Sequence, residues 1–174
     1  MSTINAARVA QFEKVSFEQF KQDMLVQSGD LTEDDIRAIY DQIKLPSRAT
    51  SGSAGYDFFT PIWFELYPGE SITIPTGIRC RMTDGWALKI YPKSGLGTKN
   101  FLRIANTIPI IDADYYYSDN EGHIFLKLRN ESNETRLTVD RGKGVAQGIF
   151  EPFGITLDDQ ADGVRNGGFG STGA

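Results

Sequence analysis

The chain has 174 residues, 40% of them hydrophobic and 24% charged, with a net charge of −5. That length suits one domain with a core and is short for two. No stretch approaches the ~20 apolar residues of a membrane helix, MSTINAARVAQFEK lacks a basic-then-apolar leader, and the acidic balance argues against a basic nucleic-acid surface, so a cytoplasmic protein with no membrane or direct nucleic-acid contact is expected.

Residues 1–46 predict two short helices. Ser16 can cap the first, with Gln19 bonding back and Val15 stapling to Phe20; Phe17, Phe20 and Met24 then share a face. Ser28-Gly29-Asp30 breaks the run. Thr32 can cap the second helix, with acids in its first turn, Leu31 stapling to Ile36, an apolar stripe through Ile36, Ile39, Tyr40 and Ile43, and Pro46 as the stop. This hairpin carries no chemical motif. It reads as an element packed on the body, with a protein-partner role as the alternative.

From residue 47 to 153 the texture is that of short strands. Ile62–Tyr67, Ser71–Pro75, Ile78–Met82, Trp86–Tyr91, His123–Arg129, Arg136–Val139 and Val145–Phe150 alternate with turn signals such as Pro68-Gly69, Asp84-Gly85 and Arg141-Gly142. Ile124, Leu126 and Leu128 alternate with Phe125, Lys127 and Arg129, the period of half-buried strands. Strands this short and this many imply an all-β sandwich, jelly roll or small barrel. Residues 154–174 are polar and glycine-rich without periodicity, and read as a flexible C-terminal tail.

Scarcity narrows the chemistry. Cys80 is the single cysteine, which rules out an intrachain disulfide and fits a reducing compartment. His123 is the single histidine, so a zinc site lacks ligands and a Ser-His-Asp hydrolase would rest on His123 alone. Carboxylates and amides leave hard-metal chemistry open, which points to magnesium.

Three stretches suit phosphate or water chemistry. Tyr91-Pro92-Lys93-Ser94-Gly95-Leu96-Gly97 places a cation, a hydroxyl and two glycines after a strand; the plain alternative is a turn. Ile110-Ile111-Asp112-Ala113-Asp114 puts two carboxylates at i and i+2, on one face if extended, able to take a proton from water or hold a metal's hydration shell; the plain alternative is solvated acids. Gly168 to Gly173 matches GxGxxG, but the strand-then-helix setting of a dinucleotide fold is not expected around it, nor is a Walker loop. Its glycines can still curl N–H groups around an anion, Ser171 and Thr172 add hydroxyls, Arg165 offers a forked cation, and Phe169 could cover a ring; a linker is the alternative.

These pieces, in this order, resemble the five motifs of the trimeric dUTP pyrophosphatases (dUTPases). Ser53-Ala54-Gly55-Tyr56-Asp57 is similar to the first, Pro92 to Gly97 to the second, Asn106 to Tyr115 to the third, Gly142 to Gln147 to the fourth and Arg165 to Gly173 to the fifth. The resemblance covers residues 47–174 and implies a distorted jelly roll of β-clip type, a homotrimer with shared sites, and a tail closing as a lid. It implies Mg2+-dependent hydrolysis of dUTP to dUMP and pyrophosphate, which removes dUTP and supplies dUMP for thymidylate synthesis. On these positions Asp112 would be the base. Asn106 and the strand backbone at Ile110 would read uracil, and Tyr115 would pack on the deoxyribose. Lys93, Ser94 and Gly95 would hold phosphates, and Asp57 and Gln147 would steady the magnesium's waters. Arg165, Ser171 and Thr172 would grip the terminal phosphates, with Phe169 over the base and Gly170 among the substrate-binding residues.

The chain departs from the family pattern in three places. Lys93 and Gly144 stand where arginines are usual, and Tyr116 to Glu121 intervene before Gly122. A lysine keeps the charge but loses the bidentate fork. Two rival readings share the scaffold: a dCTP deaminase, for which Glu121 is the one acid placed to serve, and a regulatory protein using the helical hairpin.

Overall fold

The computed structural model describes residues 6–165. In chain order the elements are β1 (Ala10–Lys14), α1 (Phe17–Gln27), α2 (Glu33–Asp41), β2 (Tyr56–Phe59), β3 (Phe64–Leu66), β4 (Ser71–Pro75), β5 (Ile78–Met82), β6 (Trp86–Pro92), α3 (Ser94–Lys99), β7 (Leu102–Ile104), β8 (Ile110–Ile111), a 3-10 turn (Ala113–Tyr117), β9 (Phe125–Asn130), β10 (Leu137–Val139) and β11 (Gly144–Pro152). The strands make a four-stranded sheet β2-β11-β6-β8, a three-stranded sheet β4-β9-β7, and the ladders β1-β5 and β10-β3. Every pairing is antiparallel.

Alternation explains which faces turn inward. Leu126 and Leu128 of β9, Ile74 of β4, and Leu88 and Ile90 of β6 are fully buried, while Lys127 and Arg129 face water. Each such burial contributes roughly 1.5–3 kcal/mol, and these side chains belong to one continuous core. The result is a mostly β fold with few helices, as the periodicity predicts. Cys80 lies in that core, where burial pushes its thiol up to about 12 and keeps it protonated.

The N-terminal segment is more than the predicted hairpin. It opens with β1, which pairs along β5 from Ala10↔Met82 to Lys14↔Ile78. Phe12 anchors it, meeting Tyr56, Phe58 and Phe150 at ring-centroid distances of 5.4, 5.6 and 5.6 Å. The stretch AQFEK shows no alternation, because only the partner strand decides its state. The helices form as expected: α1 buries Phe17, Phe20 and Met24, and Thr32 and Asp35 make the reciprocal capping box of α2. Gly77, at φ +72°, lets Ile43 approach where a Cβ would lie 2.3 Å from its Cδ1.

One capping detail differs. Ser16 Oγ accepts from the Gln19 N–H at 3.1 Å, as a cap should. Gln19 does not reach back; its Nε2 donates to Asp23 at 2.9 Å. The Ser16 N–H donates instead to Glu121, from the far side of the sequence.

Candidate active site

The first cluster arises from sheet register. Asp57 in β2 lies opposite Gln147 in β11, and Gln147 lies opposite Tyr91 in β6. Lys93 follows two residues after Tyr91 and so returns to the same face. Its Nζ donates to Oδ2 of Asp57 at 2.5 Å. Gln147 Nε2 donates to the Pro92 carbonyl at 3.3 Å, and its Oε1 faces Gly55, where a Cβ would stand only 2.6 Å away. Gly144 has the same role for Lys93: a Cβ there would lie 3.0 Å from Nζ and 3.4 Å from Cδ. The bare backbone at Gly144 is therefore the floor along which Lys93 reaches Asp57.

The expected turn after Lys93 is a short helix. Ser94 and Gly95 are exposed and open α3, with the Gly97 N–H bonded to the Lys93 carbonyl at 2.8 Å. Nothing lies within 4 Å of a Cβ built on Gly95, so the space above it is open. The strands and α3 thus bring Asp57, Lys93, Ser94, Gly95 and Gln147 together.

A second cluster forms at the other end of β6. β8 pairs with β6 through Leu88↔Ile111 and Lys89↔Ile110, which carries Asp112 to the level of Ala87. The two acids are not on an extended strand as expected. Asp112 precedes the 3-10 turn and Asp114 lies within it. They still converge: Arg165 Nε donates to Asp114 Oδ1 at 2.9 Å, and its NH2 group bonds Asp112 Oδ2. Asn106 is exposed in the turn before β8, beside Thr107 at φ +67°, and Ile110 is exposed on β8.

Tyr115 is not an open platform. Only 3% of it is exposed. Its hydroxyl donates to the His123 carbonyl at 2.6 Å and accepts from Asn120 at 2.9 Å, and burial raises its pKa. The Arg165 guanidinium lies 5.9 Å from the ring centroid. Phe169, Gly170, Ser171 and Thr172 lie outside the described residues.

The two clusters are far apart within the chain. Ala87, beside Asp112, is six residues from Lys93, about 20 Å at the ~3.3 Å rise of a strand.

His123 and Glu121 are both engaged elsewhere. His123 is fully buried, with Nδ1 on Asp23 at 2.6 Å and Nε2 accepting the Gly77 N–H at 2.7 Å, so it serves no hydrolase triad. Glu121 uses both oxygens on Ser16, each at 2.7 Å. That leaves it in no position to work on a base ring. Sequence reasoning missed the contacts Tyr116–Glu13, Glu121–Ser16 and His123–Asp23, which join positions about a hundred apart and have no local signal.

For a metal, Asp57 and Gln147 supply two hard oxygen donors on one face. Among the described residues no group of three or more His, Cys, Asp or Glu could hold an ion. This donor set fits magnesium held mainly by a substrate's phosphates, with water between ion and protein. Among the described residues no helix is long and apolar enough to cross a membrane.

A family model described as dUTPase matches residues 41–173. The deoxyuridine 5′-triphosphate nucleotidohydrolase of Lactococcus lactis subsp. lactis (strain IL1403) is 42% identical over 135 residues, covering 76% of this chain and 89% of that protein. The enzyme of that name from Hahella chejuensis is 38% identical over 143 residues, covering 76% and 88%. Among solved structures, dUTPase from Streptococcus mutans aligns with a TM-score of 0.62 at 29% identity, over 85% of this chain and 98% of that one. The dUTPase from phage phi11 of S. aureus shares the fold, with a TM-score of 0.62 at 18% identity over 90% of this chain and 97% of that one.

Proposed function

This chain belongs to the dUTPase family, and on that premise we propose that it hydrolyses dUTP to dUMP and pyrophosphate by attack of water on the α-phosphate. Asp112 is the general base that orients and deprotonates the water, a role worth roughly 10²–10⁴ in rate. Lys93, Ser94 and Gly95 hold phosphates. Asn106 and the backbone at Ile110 read the uracil edge, and the deoxyribose packs toward the Tyr115 ring once Arg165 leaves Asp112 and Asp114 for the phosphates. Arg165, Ser171 and Thr172 take the terminal phosphates, and Phe169 and Gly170 cover the base. The β body over 47–153 carries the site and 154–174 closes it.

Asp57 and Gln147 would steady the waters of a magnesium ion carried in on the triphosphate, and that ion would supply charge neutralisation. A mutant dUTPase of phage phi11 coordinates a structural Mg(II) ion. Phosphoryl transfer depends on positioning and neutralised charge rather than on covalent help, so a site without histidine or cysteine is adequate.

The separation of Asp112 from Lys93 along β6 carries the reading of a shared site. A base must lie within hydrogen-bond reach of its water, and about 20 Å forbids that within one chain. A second copy supplying Asp112 to the Lys93 corner removes the difficulty, and the homotrimer of the family is the assembly we assign.

The test is a nucleotide panel followed by a mixing experiment. Magnesium-dependent pyrophosphate release from dUTP is expected, with little from dTTP or UTP and no ammonia from dCTP. Ammonia from dCTP would replace this reading with a deaminase. At dUTP well below the wild-type KM, where Lys93→Ala is about tenfold impaired, co-assembling it with Asp112→Asn should give severalfold more activity than the two variants assayed apart, because some sites then combine two intact halves. No recovery in verified mixed oligomers would overturn the shared site.

A further inference from the structure

We propose that the N-terminal extension positions the candidate base: Glu13, Ser16 and Asp23 fix the loop over 113–123 and, through it, the Asp112 carboxylate. The inference rests on Asp112 acting as the base.

The loop begins at Asp112, whose carbonyl accepts the Tyr115 N–H at 3.2 Å, and ends at His123, just before β9. Three side chains of the extension hold it. Tyr116 OH donates to Glu13 of β1 at 2.8 Å, while Arg79 of β5 bonds the same carboxylate at 3.2 Å and lies 4.3 Å from the Tyr116 ring centroid. Ser16 gives its N–H to one oxygen of Glu121 and its hydroxyl to the other, both at 2.7 Å. Asp23 of α1 bonds His123 Nδ1 at 2.6 Å.

The histidine contact has a fixed direction. Nε2 accepts from the Gly77 N–H at 2.7 Å, so it carries no proton. The proton of neutral His123 is therefore on Nδ1 and is donated to Asp23. The His123 carbonyl then accepts the Tyr115 hydroxyl, three residues from Asp112.

The loop needs such support. Glu121 has φ +57° and Gly122 φ +69°. A non-glycine residue in that region persists where its surroundings over-determine it, and here the two bonds from Ser16 do so. The added residues Tyr116 to Glu121 and the added N-terminal segment, both outside the usual family pattern, are therefore partners of each other.

A base displaced by about 1 Å can cost on the order of 10²-fold in rate, while ground-state binding is spared. Asp23→Leu should lower kcat about tenfold and leave KM within about twofold. Asp23→Asn keeps an acceptor for Nδ1–H and should restore most of the rate. Tyr116→Phe, which removes only the hydroxyl at the loop's outer side, should lower kcat by about threefold and carries the test if Asp23→Leu does not fold. Amide exchange over 113–122 should quicken in the same order. Folded variants with wild-type kcat, or with unchanged exchange in the loop, would overturn the proposal. A wild-type protein that releases no pyrophosphate from dUTP would instead sink the proposed activity, leaving the exchange measurement to judge the extension's hold on the loop.

Discussion

The two ends of β6 hold the two halves of the candidate site, and they are built differently. At the Lys93 end, register does the positioning: Asp57, Gln147 and Tyr91 are consecutive partners across β2, β11 and β6. At the Asp112 end a two-residue strand gives way to a 3-10 turn and a loop, and side chains from a remote segment hold them. Backbone ladders tolerate single side-chain changes, whereas a loop held by a few hydrogen bonds does not. The difference predicts where substitution damages chemistry and where it damages only binding.

The largest break is Asp112→Asn. It removes the base and keeps the shape, so kcat should fall by about 10²–10⁴ while dUTP binding, measured by calorimetry, is retained. Undiminished turnover would deny this end of β6 its chemical role. Lys93→Ala should act the opposite way, raising KM by roughly tenfold through loss of a charged contact.

Next are two glycines, one from each end. A Cβ at Gly122 would lie 2.7 Å from the Tyr115 carbonyl oxygen and 2.7 Å from the Tyr116 Cα, at φ +69°. Backbone cannot move aside as a side chain can, so Gly122→Ala should cost about 1–3 kcal/mol in denaturant unfolding. At Gly95 a Cβ meets nothing within 4 Å, and Gly95→Ala should leave stability unchanged or slightly raised. Equal losses at the two positions would erase the contrast between the ends.

The same contrast governs what the sequence discloses. Ser71–Pro75 and Ile78–Met82 are predicted to their ends because alternation of buried and exposed side chains is local. The helix Ser94–Lys99 is hidden, since Gly95 and Gly97 argue against one and tertiary context overrides that preference. β8 is too short to carry a period. The chemistry-bearing residue types are legible as motifs, yet their division between the ends of one strand depends on pairing. The hold of Glu13 on Tyr116 depends on folding alone, across a separation of 103 residues.

A smaller effect belongs to Gly144. A Cβ there approaches Lys93 Nζ to 3.0 Å. The obstructed group is the end of a flexible chain, so it can shift at little cost. Gly144→Ala should weaken the Lys93–Asp57 pair, change KM by about two- to threefold, and leave kcat and melting temperature as they were. A fall in kcat would show that this corner also positions the reacting atoms.

The smallest expected effect is of pH on the loop's anchors. The Tyr116 hydroxyl holds the Glu13 carboxyl below its usual 4.5; burial opposes this, and Arg79 and Arg81 assist. For Glu121 burial pushes upward, but the Ser16 N–H and hydroxyl, with Arg79, outweigh it and the pKa is again lowered. A carboxyl depressed in the folded state binds fewer protons there than in the unfolded chain. Its contribution is complete above about pH 4.5 and is lost as pH falls through the lowered folded value. Thermal stability should therefore fall more steeply below about pH 4.5 in wild type than in a Ser16→Ala, Tyr116→Phe double variant, with little difference in slope near neutrality. Both groups are partly exposed, so added salt should narrow the gap. Parallel acid limbs for the two proteins would mean that the anchors on Glu13 and Glu121 add no stability, and that the loop takes its order from Asp23 and the β body.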